Sequence, residues 1–266
     1  MSAKDDVVEA YQPDRSLKGK LRRRLVRLAH RRPARLDLDR PMVSFSFDDA
    51  PATAAETGAA ILEARGLKGT FFFAAELADR QGPMGRFAGE AHVRALAAEG
   101  HEIACHTYSH LDCGQASGPA ALADVARNAQ ALARWNAPAA TTFAYPYGDV
   151  SAPAKAALAP RYSLLRALHH GLVEDGTDLN QAPAVGVEGP DGEAIARRWL
   201  QAAAARKAWL ILYTHDVAEP ASAWGCTPGA LARLADEAVA LGFEVVTVAE
   251  GARRAGGAGH KGVRAR

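Results

Sequence analysis

Short runs of β-forming residues alternate with alanine-rich segments from Met42 onward, and this alternation restricts the fold more than any other feature. The alanine-rich segments have helical periodicity, and Gly66, Gly100 and Gly242 mark helix ends. Such an alternation predicts βα units around a parallel sheet or barrel. The predicted strands are residues 42–47, 69–74, 102–106, 142–145, 162–165, 209–214 and 243–248, and the predicted helices are residues 53–65, 90–99, 119–136, 151–158, 191–207 and 228–241.

The chain has 266 residues, which fits one large α/β domain or two small ones. One domain is favoured, because no Pro-, Gly- or Ser-rich linker divides residues 42–250. Residues 1–41 are then an N-terminal extension, and residues 251–266 are expected to form a basic flexible tail.

The N-terminal extension contains an uneven distribution of charge. Residues 15–35 carry many Arg and Lys and no acid, and apolar residues recur at near-helical spacing within residues 17–30. This pattern predicts a basic amphipathic helix that ends before Pro33. The helix could dock on the domain with a solvated face, or lie on an anionic membrane surface as a peripheral anchor. The short stripe without Trp or Phe favours docking.

Charge and cysteine usage limit the partners and the compartment. A net charge of +2 is too small to indicate nucleic-acid binding. Three cysteines (Cys105, Cys113 and Cys226) lack metal-knuckle spacing, and the polar residues 1–11 do not resemble a secretory signal. No apolar run approaches the roughly 18–20 residues that span a bilayer. We therefore expect a cytoplasmic protein, at the inner face of the membrane if the extension binds lipid.

Polar residues follow several predicted strands where an α/β active site would lie. They occur in Phe47-Asp48-Asp49, and in residues 106–110, 145–148 and 213–216. Because carboxyl ends of parallel strands gather at one rim, these segments should converge.

Two histidines and two aspartates suggest metal chemistry. His106 and His110 are four residues apart and could share one ion, but the zincin pattern needs Glu where Thr107 stands, so a carboxylate must come from elsewhere. Adjacent side chains on an extended chain point oppositely, so Asp48 and Asp49 would take different roles, one binding metal and one handling protons. The alternative is an Asx turn or a helix N-cap.

Together the four segments, including "FAYPYG" at 143–148 and "LILYTHD" at 210–216, resemble the polysaccharide deacetylase family, carbohydrate esterase family four, with its NodB homology domain. The resemblance covers roughly residues 42–250. It implies an α/β fold, a distorted (β/α)7 TIM-like barrel, preceded here by the basic helical extension.

The resemblance also implies a set of roles. Asp49, His106 and His110 would bind Zn²⁺, with Co²⁺ or Ni²⁺ as alternatives. Asp48 would be the general base and His215 the general acid. The turn residues Tyr145, Pro146 and Tyr147 would form a wall of the substrate site, with the Tyr147 amide at the oxyanion and Trp224 stacking on sugar.

The sequence departs from the family pattern at two places. The Arg that many members carry near "YPYG" to pair with the base is Ala144 here, and Arg166 at the end of a neighbouring strand could supply the charge instead. The carboxylate that orients the acid histidine has no clear match, and Asp178 is the candidate.

The predicted function is de-N-acetylation of N-acetylhexosamine in a bacterial exopolysaccharide or its lipid-linked oligosaccharide precursor. The alternatives are a catalytically inactive sugar-binding homologue and an amidohydrolase for a small non-sugar amide. The sequence does not indicate the oligomeric state.

Overall fold

The computed structural model describes residues 24–256. The strands are β1 (Met42–Phe47), β2 (Thr70–Phe73), β3 (Gln81–Gly82), β4 (Gly85–Arg86), β5 (Glu102–Cys105), β6 (Thr142–Ala144), β7 (Leu164–Arg166), β8 (Val185–Gly186), β9 (Trp209–Thr214) and β10 (Glu244–Val245). The helices are α1 (a π-helical turn, Ala54–Gly58, continued by Ala59–Glu63), α2 (Glu90–Ala98), α3 (Gly118–Arg134), α4 (Ala152–Leu158), α5 (Gly192–Arg206), α6 (Pro228–Ala240) and α7 (Val248–Ala255).

A curled parallel sheet organises the domain, in the order β7-β6-β5-β2-β1-β9-β8, and β10 also pairs with β1. One segment joins its two edges. Ala182 bridges to Arg166 of β7 in parallel, and β8, which starts at Val185, pairs with β9. The predicted distorted α/β barrel is therefore confirmed, and the carboxyl ends of its strands form one rim.

The core has an outer and an inner part because side chains alternate along each strand. Val43, Phe45 and Phe47 of β1 pack outward in the cluster that includes helix residues such as Leu62 and Leu231. Met42 packs in a separate cluster with β-strand residues that face the barrel interior, including Phe72, Ala104, Ala144, Trp209 and Tyr213. Trp209 is fully buried.

Two C-terminal boundaries differ from the predictions. The strand expected at 243–248 is only Glu244–Val245, and α7 then runs to Ala255, so residues 251–255 belong to the folded domain and not to a tail. The buried carboxylate of Glu102 accepts a hydrogen bond from the Ala249 amide (2.8 Å), which fixes the start of α7 beneath the barrel. Gly251 packs so closely on Trp209 that a Cβ would overlap the indole.

Most of the predicted N-terminal helix lies outside the described residues; within them, residues 24–26 are helical. Val26 is buried, and its carbonyl accepts a hydrogen bond from the Lys155 ammonium at 3.0 Å. Leu25 and Leu28 point away from the domain, with 56% and 73% of their surface exposed. This part of the extension is docked, as expected, but leaves two leucines uncovered. No helix between residues 24 and 256 is long and apolar enough to cross a membrane.

Candidate active site

Two of the predicted polar segments meet around a possible metal site. One ligand atom each from Asp49, His106 and His110 lies within 4.8 Å of the others. The Asp49 Oδ1 atom is 3.5 Å from His106 Nε2 and 3.2 Å from His110 Nε2. The sequence-predicted ligand set is therefore brought together.

The donor atoms suit a divalent cation. The His106 Nδ1 atom bonds the Ala144 carbonyl at 2.9 Å, which leaves Nε2 to face Asp49. The Asp49 Oδ1 atom is buried and has no hydrogen-bond partner among the described residues, which is unfavourable for an oxygen unless a cation is bound. Burial lowers the pKa of His106 to about 4, so its imidazole is in the neutral form that binds metal. Burial opposes ionisation of Asp49, but His110 and His106 bring its pKa below the usual value.

Unusual backbone conformations aim the ligands. Asp49 and His110 have positive φ angles of 57° and 55°, and Thr107 has a φ of 61°. Non-glycine residues adopt this region at a cost and do so mostly where function requires it. Asp124 of α3 holds the turn before His110, because its carboxylate accepts hydrogen bonds from the amides of residues 108 and 109 at 2.6 and 3.0 Å.

Asp48 lies beside the ligand cluster and is paired with Arg166. Their side chains are both buried and form a short ion pair. Arg166 on β7 is the register neighbour of Ala144 on β6. Its guanidinium carbon lies 5.0 Å from the Phe72 ring and 5.1 Å from the Tyr213 ring. The structure thus places the guanidinium beside Asp48, as the sequence hypothesis required, from the strand next to the one that carries Ala144.

His215 follows β9 and forms the other side of the site. Its Nδ1 atom is 3.1 Å from Glu188 Oε1. Burial lowers the pKa of His215, but the bond to Glu188 and the nearby Asp49 and Asp48 raise it to about 9. The imidazole is therefore protonated at neutral pH and can donate a proton.

The candidate for orienting His215, Asp178, was wrong. The Asp178 carboxylate accepts hydrogen bonds from the Lys155 ammonium at 2.6 Å and from the Arg32 amide at 2.9 Å, so it anchors the N-terminal extension. Glu188 is the residue that sequence reasoning missed. It comes two residues after β8, a strand too short to recognise by periodicity, although a carboxylate directly after "AVGV" was the available signal.

The predicted substrate residues separate into two groups. Tyr145 is 1% exposed and donates its hydroxyl to the Asn180 carbonyl at 3.1 Å, so its side chain belongs to the core and not to the substrate wall. Pro146 is buried too. The Tyr147 ring lies edge-on to His110 at 4.5 Å, and Tyr147 has a φ of 60°. Trp224 is 38% exposed, and its carbonyl accepts the His215 amide at 3.2 Å, so its indole stands at the rim.

Comparison with solved structures places this fold among known proteins. A protein from Mycobacterium smegmatis described as a candidate polysaccharide deacetylase has a TM-score of 0.67 at 18% identity, over 85% of this chain and 94% of its own. The chitin deacetylase of Colletotrichum lindemuthianum has a TM-score of 0.57 at 20% identity, over 81% and 89%. A structure described as a mutant CE4-family pseudoenzyme has a TM-score of 0.56 at 16% identity, over 82% and 69%.

Comparison of sequences finds a similarity to one family. A search of curated proteins finds no significant match. The sequence model for polysaccharide deacetylase matches residues 35–160, which include both aspartates and the two ligand histidines but not Arg166 or His215. With this match and the shared barrel, the chain is similar to the polysaccharide deacetylase family, whose members are hydrolases.

Proposed function

We propose that this protein is a metal-dependent deacetylase that releases acetate from N-acetylhexosamine residues of a bacterial exopolysaccharide or its lipid-linked precursor. One observation carries the proposal. A three-residue ligand cluster, Asp49-His106-His110, lies between a base candidate and a protonated acid candidate, His215. Metal-assisted amide hydrolysis at neutral pH uses these three elements together.

The ligand set favours a particular kind of cation. Two neutral imidazoles and one carboxylate suit Zn²⁺, and Co²⁺ or Ni²⁺ accept the same donors. When bound, such an ion would act as a Lewis acid toward the acetamide carbonyl and lower the pKa of a water.

The surrounding side chains would move the protons. Asp48 is paired with Arg166 and would accept the proton of the attacking water. His215 would then donate its proton to the leaving amine, which departs as the free amino sugar. The backbone amide of Tyr147, beside His110, is the proposed donor to the oxyanion.

Acetate release from N-acetylglucosamine oligomers, with and without chelator, tests the activity. Asp48→Asn should abolish release while metal content and folding stay intact, whereas the matched surface variant Asp37→Asn should retain it. Wild-type protein that binds the oligomers but releases no acetate with any of the three metals would support an inactive binding homologue. Equal turnover of small amides would support the non-sugar amidohydrolase.

Trp224 is the proposed sugar platform. An exposed indole beside the acid offers a flat apolar face to a pyranose ring. Trp224→Ala should raise KM for oligomers by roughly tenfold and leave turnover of small amides unchanged, on the scale of about 1–2 kcal/mol for one aromatic contact. Equal losses on both substrates would indicate a structural role.

We further propose that the protein works in the cytoplasm, on the inner face of the membrane, where a lipid-linked substrate would lie. Leu25 and Leu28 are exposed, and each directly follows an exposed arginine, Arg24 and Arg27 respectively. Exposed leucines with flanking arginines match an anionic lipid surface in both polarity and charge.

Sedimentation with vesicles tests this surface. The full chain should bind vesicles that contain phosphatidylglycerol, less in high salt and not on pure phosphatidylcholine. Leu25→Ser with Leu28→Ser should weaken binding, whereas Val239→Ser with Leu241→Ser, at two other exposed apolar positions, should not. Equal binding by both double variants would refute the assignment, and a leucine-dependent dimer without vesicle binding would indicate a protein partner.

A further inference from the structure

Tyr213 occupies an internal position between the two proton-transferring side chains. It lies on β9, pairs in register with Ser46 of β1 and Gly186 of β8, and packs in the inner cluster. Its hydroxyl is 3.3 Å from Glu188 Oε2. Burial raises the pKa of the Tyr213 phenol, so the hydroxyl stays protonated and is the donor to the carboxylate.

The contact gives Glu188 a second attachment point. One carboxylate oxygen faces His215 at 3.1 Å, and the other accepts the Tyr213 hydroxyl. The Glu188 side chain is 25% exposed, so a single contact would leave the carboxylate able to rotate toward water. Two contacts on opposite oxygens restrict that rotation. Glu188 then contributes to the orientation of the imidazole, together with the Trp224 carbonyl, which lies 3.2 Å from the same His215 Nδ1 atom.

The ring of Tyr213 contacts the base side of the site as well. The Arg166 guanidinium carbon is 5.1 Å from its centroid, while Phe72 contacts the same guanidinium at 5.0 Å. Tyr213 therefore contacts both Arg166, the partner of Asp48, and Glu188, the partner of His215.

Gly186 leaves the space that this arrangement needs. A Cβ on Gly186 would lie 3.0 Å from both the Tyr213 hydroxyl and Glu188 Oε2. Such a distance is tighter than ordinary packing, so with a methyl group there the hydroxyl or the carboxylate would have to move by a few tenths of an ångström.

We propose that Tyr213 is a positioning residue that orients Glu188, and through it His215, by a hydroxyl contact that requires glycine at position 186. The effect of Tyr213 on catalysis rests on the proposed function. Its effect on the orientation of His215 can be measured without turnover.

The experiment follows the imidazole of His215 by NMR titration in the full, metal-free chain, with a His215→Gln spectrum to assign the signal. The charged groups that face this imidazole are Glu188, Asp48 and Asp49. Tyr213→Phe leaves all three in place and keeps the ring on Arg166. We expect the His215 midpoint to fall by roughly half to one pH unit, since Glu188 can then turn away. Gly186→Ala should lower it similarly without changing either partner.

Kinetics supply the second readout. Tyr213→Phe and Gly186→Ala should each lower kcat several-fold and leave KM unchanged, because the substrate surface is untouched. The control Tyr162→Phe removes another buried phenol hydroxyl, which bonds Cys105, and should change neither the midpoint nor kcat. The inference would be overturned if both Tyr213→Phe and Gly186→Ala kept the His215 midpoint and the kcat of the wild type, or if the midpoint rose. Shifted midpoints in a protein that releases no acetate would refute the proposed function but not the positioning.

Discussion

Replacing Glu188 with Gln should shift the pH dependence of catalysis by a predictable amount. Burial alone lowers the pKa of His215 below its usual 6.5, and the neighbouring carboxylates, Glu188 first among them, raise it to about 9. A cation bound by Asp49 would offset the attraction from Asp49 and Asp48, so that Glu188 would carry most of the effect in the loaded enzyme. Without Glu188 the pKa should return to about 6.5 or lower.

The magnitude follows from the protonated fraction. A pKa of about 9 is the upper limit, since a bound cation would lower it. At that limit His215 is about 90% imidazolium at pH 8, whereas with the ordinary pKa near 6.5 about 3% remains. Glu188→Gln should therefore lower kcat by up to about thirtyfold at pH 8 but by less than about twofold at pH 6 from protonation alone. Lost orientation of the ring would add a factor that is independent of pH.

Stability should change in the same direction. The pKa of His215 is raised on folding, so its stabilising contribution is complete below the unfolded pKa of 6.5 and is lost as pH rises through about 9. The upper limit of this contribution is about 3 kcal/mol. In metal-free protein, Glu188→Gln should lower the free energy of unfolding more at pH 6 than at pH 10.

The assay is acetate release from N-acetylglucosamine oligomers between pH 5.5 and 9.5, with urea unfolding of the same samples. Asp178→Asn is the matched control, because it should destabilise the docked extension near Lys155 and leave the alkaline limb of the kcat profile in place. A Glu188→Gln profile parallel to that of wild type, or an alkaline shift in Asp178→Asn, would refute the assignment of Glu188.

Two further predictions concern the base and the metal. Arg166→Met should leave Asp48 buried without its positively charged partner, which typically costs roughly 3–5 kcal/mol of folding free energy, and acetate release should fall at every pH. Adding Ala144→Arg should restore part of the activity, since Ala144 is the register neighbour of Arg166. If the double variant recovers no activity, the role of Arg166 is not defined by its charge alone. Asp124→Ala should weaken metal affinity roughly tenfold without removing a ligand, because the turn before His110 loses its hydrogen bonds to Asp124. Unchanged affinity in a metal titration would show that these hydrogen bonds are not needed to hold the turn.

Much of the fold was predictable because its signals are local. The bounds predicted for β1 and β9 agree with the structure, since both are six-residue runs of buried β-forming residues between polar segments. The two-residue strands β8 and β10 carry no periodicity, and they form because neighbouring strands supply hydrogen bonds. The helix α7 was missed for a related reason, as its start is fixed by Glu102, almost 150 residues away.

The site was predictable to different depths. The placement of Asp49, His106 and His110 agrees with the prediction from order and spacing, because each follows a strand whose carboxyl end reaches the common rim. Tyr145 lies within a similar motif, yet it faces the core, because the two faces of a strand alternate and a shift of one residue decides between them.

By itself, the sequence determined the alternation of strands and helices, the resemblance to one family, and the residues available for metal and proton chemistry. Tertiary structure alone decided which distant groups became partners. It paired Arg166 with Asp48 and Glu188 with His215, whereas Asp178 pairs with Lys155 and holds the N-terminal extension. The reason is physical. Strand and helix signals lie within a few neighbouring residues, whereas the energy of a buried charge depends on whichever opposite charge the closed barrel brings within a few ångströms.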